Sequence, residues 1–130
     1  MRNEYKVTAF EKIHNDVYFI LNEKIQDIQI QVTGQVIVDT DHAAFIYLVE
    51  EDGQYSHIRF PQEMWSQLVF VLKEKNDPYL YVGAETLRLE NFVAELQALL
   101  FNIEGNSNYG DVFVADVEDI FAEVFTENEV

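Results

Sequence analysis

A chain of 130 residues with 48% hydrophobic and 14% aromatic residues can bury a core without a metal or disulfide, and is too apolar to be disordered. It contains no cysteine, which excludes disulfides, thiolate metal sites and thiol catalysis. Twenty-four acids against eight bases give a formal charge of −16, so phosphate backbones and anionic membranes would be repelled.

One domain over residues 1–130 is expected, because no repeat, low-complexity tract or Pro/Gly-rich linker divides the chain. The start, Met1-Arg2-Asn3-Glu4-Tyr5-Lys6, has no apolar stretch behind its charges and does not read as a signal peptide. No apolar run approaches the ~20 residues of a membrane span. Cytoplasmic location is the expectation.

Tyr5, Val7 and Ala9 alternate with polar residues, as in a half-buried strand. Asn15-Asp16 signals a turn. Val17 to Leu21 is apolar on both faces and reads as a central strand. Ile28, Ile30 and Val32 alternate with Gln29 and Gln31, while Asn22 to Asp27 is ambiguous. Gly34 interrupts, and Val36 to Val38 resumes the pattern. Ala43 to Val49 and Tyr55 to Phe60 flank Asp52-Gly53, a hairpin signal.

Pro61 suits the first turn of a helix, where a missing N–H costs nothing. Met64, Trp65, Leu68 and Leu72 then recur at helical spacing, and Asn76 and Pro78 end that helix. Tyr79 to Val82 and Thr86 to Leu89 form a second hairpin around Gly83. A helix follows with Val93, Leu96, Leu100 and Ile103 on one face and Gly105 as its C-terminal cap. Asp111 caps the last helix, in which Phe113, Val117, Ile120, Phe121 and Val124 share one stripe and Asp116, Asp119 and Glu123 another. Thr126 to Val130 read as a frayed tail.

Strands joined by hairpins and followed by helices predict an α+β fold. The expected form is an antiparallel sheet of about six to eight strands with three helices, the last two a C-terminal helical hairpin. No βαβ alternation and no Gly-rich strand-to-helix turn supports a doubly wound nucleotide fold.

Three stretches carry a resemblance. They are Val38-Asp39-Thr40-Asp41-His42-Ala43-Ala44-Phe45, then Gln62-Glu63-Met64-Trp65, then Asn102-Ile103-Glu104-Gly105-Asn106-Ser107-Asn108-Tyr109-Gly110 with Phe113-Val114-Ala115. Over about Gly34 to Phe121 the chain resembles the uncharacterised YjbL-like protein family of Bacillus and Staphylococcus. The asparagine-rich stretch is the most specific part. The resemblance implies a cytosolic protein of Gram-positive bacteria and brings no assigned activity.

Few residues suggest chemistry. Asp39 and Asp41 would point the same way in an extended segment, so two carboxylates could converge on Mg²⁺, with His42 adjacent. The competing reading is a polar bend whose aspartates bond local backbone. Gly105 to Asp111 has no calcium-loop register, because neither Asp111 nor Phe113 supplies the glycine needed sixth. It reads as a turn between helices, with Asn106, Asn108 and Tyr109 as candidate ligand contacts. Trp65 is either core or, if exposed, a binding anchor. His57 and Arg59 share a strand face, where Arg59 could hold an anion but better suits a surface ion pair. His14, His42 and His57 lack metal-ligand spacing, and no Gly-x-Ser-x-Gly elbow or P-loop occurs.

No Lys or Arg follows Arg88, while ten Asp or Glu lie between Glu90 and Glu129. The leading expectation is therefore a binding or regulatory module acting through protein contacts, with a basic partner at Asp116, Asp119 and Glu123. A small divalent-cation-dependent enzyme or ligand-binding protein using Asp39 and Asp41 is the alternative, and an acidic nucleic-acid mimic a third. No cofactor, nucleic-acid or membrane partner is expected.

Overall fold

The computed structural model describes residues 3–22 and 29–127. The expected strand position Ile28, most of the ambiguous stretch before it and the tail beyond Glu127 lie outside the described residues. Seven strands are described: β1 (Glu4–Ile13), β2 (Asp16–Leu21), β3 (Ile30–Asp39), β4 (Ala44–Glu51), β5 (Gln54–Pro61), β6 (Tyr79–Val82) and β7 (Glu85–Arg88). They form one sheet in the order β3-β4-β5-β1-β2-β6-β7.

The local hairpins follow the turn chemistry. β4 and β5 pair antiparallel from Ala44↔Pro61 to Glu51↔Gln54, and β6 and β7 from Tyr79↔Arg88 to Val82↔Glu85. The fully antiparallel expectation is corrected at two junctions. β1 runs parallel to β5 (Tyr5↔Ile58), and β2 runs parallel to β6 (Tyr18↔Tyr79). The N-terminal hairpin is inserted between strands distant in sequence, so no turn residue sets its direction there. The β2–β6 junction has only two residue pairs, Tyr18↔Tyr79 and Phe19↔Leu80. Outside the core it is supported by Tyr18 stacking on Tyr79 and Tyr81, with ring centroids 4.8 and 5.4 Å apart.

Four α-helices are described: α1 (Trp65–Glu74), α2 (Phe92–Ile103), α3 (Asp111–Ile120) and α4 (Ala122–Glu127). Pro61 ends β5 and precedes a 3₁₀ turn, Gln62–Met64, so the helix starts later than the proline suggests. α1 ends at Lys75 in left-handed backbone, whose N–H donates to Val71 O. The start of α2 is capped from a distance: Asp77 accepts from the N–H groups of Asn91 (3.1 Å) and Val93 (2.9 Å). The expected pair of C-terminal helices is in fact three, because the last one breaks at Phe121 (φ −96, ψ 17). Phe121 is fully buried, its ring 5.8 Å from those of Phe45 and Trp65.

Strand alternation sends Val7, Phe19, Phe45, Tyr47, Ile58, Phe60 and Leu80 into one cluster with Trp65, Leu68, Phe92, Leu96, Phe113, Val117 and Phe121 of the helices. The helices thus cover one sheet face, and the opposite face carries Tyr18, Tyr79, Tyr81 and Arg59. A molecule with formal charge −16 repels itself on folding, and salt screens that repulsion over about 8–10 Å near physiological ionic strength. The melting temperature is expected to rise from low to moderate NaCl in a calorimetric scan. A flat or falling trend would mean that local pairs already balance the charge.

Candidate functional site

Alternation along the strands places Glu4, Asp39, His57 and Arg59 on the outer sheet face. Arg59 stands opposite Ile46 on β4 and Lys6 on β1. Its guanidinium donates to Asp39 Oδ2 and, at 3.1 Å, to Glu4 Oε1. These carboxylates come from β3 and β1, so Arg59 ties strands on both sides of its own. Ile46, its cross-strand partner, is 2% exposed. The arginine stem and its neighbours replace a covering helix here.

The chain of polar groups continues at both ends. Asp39 accepts the His42 N–H at 3.2 Å and meets His42 Nδ1 at 2.9 Å, while His57 Nδ1 lies 3.2 Å from Glu4 Oε1. The Arg59 hydrogen bond, aided by those from His42 and opposed by burial, holds the Asp39 carboxyl down at about 2. The pairs His57/Arg59 and Asp39/His42, apart in the sequence, are thus joined with Glu4 into one network.

This network engages Asp39, one of the two carboxylates of the cation reading. β3 ends at Asp39, and residues 40–43 form a turn closed by Ala43 in left-handed backbone (φ 48). Strand alternation therefore does not extend from Asp39 to exposed Asp41. Asp39 bonds Arg59 and His42, and the His42 N–H is the one local backbone donor it accepts from among the described residues. Ala43, expected to open the next strand, belongs to the turn instead.

A second polar cluster lies inside. Glu51 is 4% exposed and accepts Tyr5 OH at 2.8 and 3.0 Å, Ser56 Oγ–H at 2.7 Å and Asn3 Nδ2–H at 3.1 Å. Several donors on one buried carboxylate replace the water it loses. Counting by twos from Phe45 puts Glu51 on the core side, a signal in the sequence that sets it apart from the exposed acids.

The asparagine-rich connection bonds chiefly to itself. Asn106 accepts from Asn108 N at 3.1 Å and donates to Asn102 O at 3.1 Å, and Asn102 Nδ2 donates to Tyr109 OH at 2.6 Å. Gly105 N donates to Glu118 Oε2 at 2.8 Å, which fastens the turn to α3. These bonds engage Asn106 and Tyr109 in the fold and leave Asn108 exposed. Trp65 is fully buried, with its Nε1–H donating to Phe60 O at 3.2 Å, so it offers no anchor to a partner.

The acidic row is also altered. Asp116 is half-buried and Asp119 exposed on α3, but Glu123 belongs to α4 and pairs with Lys73 of α1 at 2.7 Å. The expected absence of a relieving base holds within the helix and fails across the fold. Lys73 also lies 3.7 Å from Glu127. Its ammonium lowers the pKa of Glu123, and the Glu123 carboxylate raises that of Lys73. A cavity of about 270 Å³ nearby is lined by Leu72, Lys73, Lys75, Gln97, Val124 and Glu127. No helix among the described residues is long and apolar enough to cross a membrane.

Residues 5–121 match the model of UPF0738, a family of unknown function. A UPF0738 protein of Lysinibacillus sphaericus is 39% identical over 127 residues, covering 98% of this chain and all of the relative. One from Staphylococcus haemolyticus is 39% identical over 110 residues, covering 85% of this chain and 90% of its own length. One from Halalkalibacterium halodurans is 33% identical over 125 residues, covering 93% and 99%. No solved structure matches. The likeness reaches β1 and β2, which the resemblance from Gly34 onward left out, and these relatives carry no assigned activity in their names. The chain therefore belongs to the UPF0738 family, whose function is unknown.

Proposed function

We propose that this chain is a cytoplasmic binding module that acts through protein contacts, with a basic partner seated along α3. One observation supports the reading: Asp111, Asp116 and Asp119 have no ion-pair partner among the described residues, and Val112 stands beside them 77% exposed. Unneutralised carboxylates steer a basic surface toward the helix, and the exposed valine adds apolar contact once it arrives. Such steering raises the association rate more than the lifetime of the complex.

The test is charge reversal with Asp116→Lys and Asp119→Lys, which leaves the Glu123–Lys73 pair intact. A partner retained by the immobilised chain is expected to bind more weakly as salt rises and more weakly still to this variant. Circular dichroism checks that the fold survives. Nucleic acid is expected not to bind at physiological salt. A partner indifferent to both salt and reversal would place the interface elsewhere and return the acidic row to a solubility role.

A further inference from the structure

Asp52 and Gly53 alone form the loop between β4 and β5. The last rung of that ladder is Glu51↔Gln54, so these two residues turn the chain unaided. Both take left-handed backbone, with φ of 51 and 77. Both are exposed, and a Cβ added at Gly53 would meet nothing within 4 Å. Gly53 N–H takes no part in the Glu51↔Gln54 rung. Every other aspartate in the chain precedes a larger residue: Val, Ile, Thr, His or Pro.

We propose that Asp52 is a site of aspartate isomerisation through a cyclic imide. The Gly53 amide nitrogen attacks Cγ of the protonated Asp52 carboxyl. The N–Cγ bond forms and a Cγ–O bond breaks, while the amide proton and the departing hydroxyl leave as water. Water then adds to one of the two ring carbonyls, the C–N bond at that carbon breaks, and the nitrogen takes back a proton. Addition at Cγ restores aspartate, whereas addition at the main-chain carbonyl carbon routes the backbone through Cβ and Cγ as isoaspartate. The sum neither gains nor loses atoms and needs no cofactor or redox partner.

Asp52 is suited to this by its follower and by its place. Glycine puts no side chain in the path of the attacking nitrogen. Ring closure requires the turn to leave its left-handed geometry, and the open surroundings of Gly53 present no packed side chain to oppose that. The product carries an extra methylene in a loop only two residues long, next to Glu51. The Glu51 carboxylate is held by Tyr5, Ser56 and Asn3, so lengthening the turn pulls on that cage.

The experiment incubates the folded chain in mildly acidic buffer at body temperature. The protein is then digested, and isoaspartate is located by electron-transfer fragmentation. Accumulation is expected at Asp52 above every other aspartate, together with a lower-melting fraction. Asp52→Glu, whose imide would be six-membered, is expected to abolish it. Asp52→Asn keeps the turn preference of Asn-Gly and passes through the same five-membered ring by losing ammonia, so the folded variant is expected to lose its amide at neutral pH. The proposal is overturned if isoaspartate at Asp52 does not exceed that at Asp39 or Asp116. It is equally overturned if Asp52→Asn loses its amide in urea but keeps it when folded.

Discussion

Trp65→Ala is expected to lower stability by about 3–5 kcal/mol, a large share of the 5–15 kcal/mol typical of a domain. Trp65 is fully buried where β5 passes into α1, with ring centroids 5.1 Å from Phe45, 5.9 Å from Phe113 and 5.8 Å from Phe121. It therefore joins the sheet, the first helix and the C-terminal helices. Truncation opens a cavity among aromatic rings and removes the hydrogen bond to Phe60 O. Trp65→Phe retains much of the packing and loses the donor, so its cost should be smaller, on the order of 1–2 kcal/mol. Urea unfolding followed by circular dichroism separates the two. An alanine variant with an unchanged midpoint would show that this junction does not support the core.

The second large effect belongs to the outer face. Asp39 titrates near 2 when folded against an ordinary 3.8, chiefly because Arg59 donates to it. A carboxyl depressed by folding contributes stability above its unfolded pKa, and that contribution is lost as pH falls toward the folded value. With the Asp39 side chain 23% exposed, the contribution is on the order of 2 kcal/mol. Asp39→Asn should cost about that much near neutrality, and the gap from the parent should close as the pH falls through roughly 4 toward 2. Unfolding free energies of both proteins across that range provide the check. Parallel curves would mean that Arg59 and Asp39 gain no more from each other when folded than when unfolded. Arg59→Ala should also destabilise, since it removes the shared partner of Glu4 and Asp39 and uncovers Ile46.

The local elements were legible because each is encoded by neighbours in the chain. Asp52-Gly53 supplies the left-handed residues of a tight hairpin, and the helical spacing of Leu68 and Leu72 marks the buried side of α1. Phe113, Val117 and Val124 were likewise readable as an inward stripe, although not the break at Phe121 between them. Helical periodicity survives a break of one residue, so the pattern alone did not reveal it.

The candidate sites were less legible, because ion pairs and cages join residues far apart in the chain. Arg59 reaches Asp39 and Glu4, and Glu51 gathers Tyr5, Ser56 and Asn3. Glu123 looked unrelieved only because its cation, Lys73, lies on another helix. By itself the sequence determined the acidic surface, the hairpins and the apolar faces, all of which depend on residue type and short spacing. Tertiary structure decided the two parallel junctions, the order of the strands and which carboxylates meet a cation. The parallel junctions and the strand order follow from inserting the N-terminal hairpin between β5 and β6, a choice made by burial of Val7 and Phe19 against distant strands and helices rather than by any local turn, while the ion pairs follow from which strands and helices come to lie side by side.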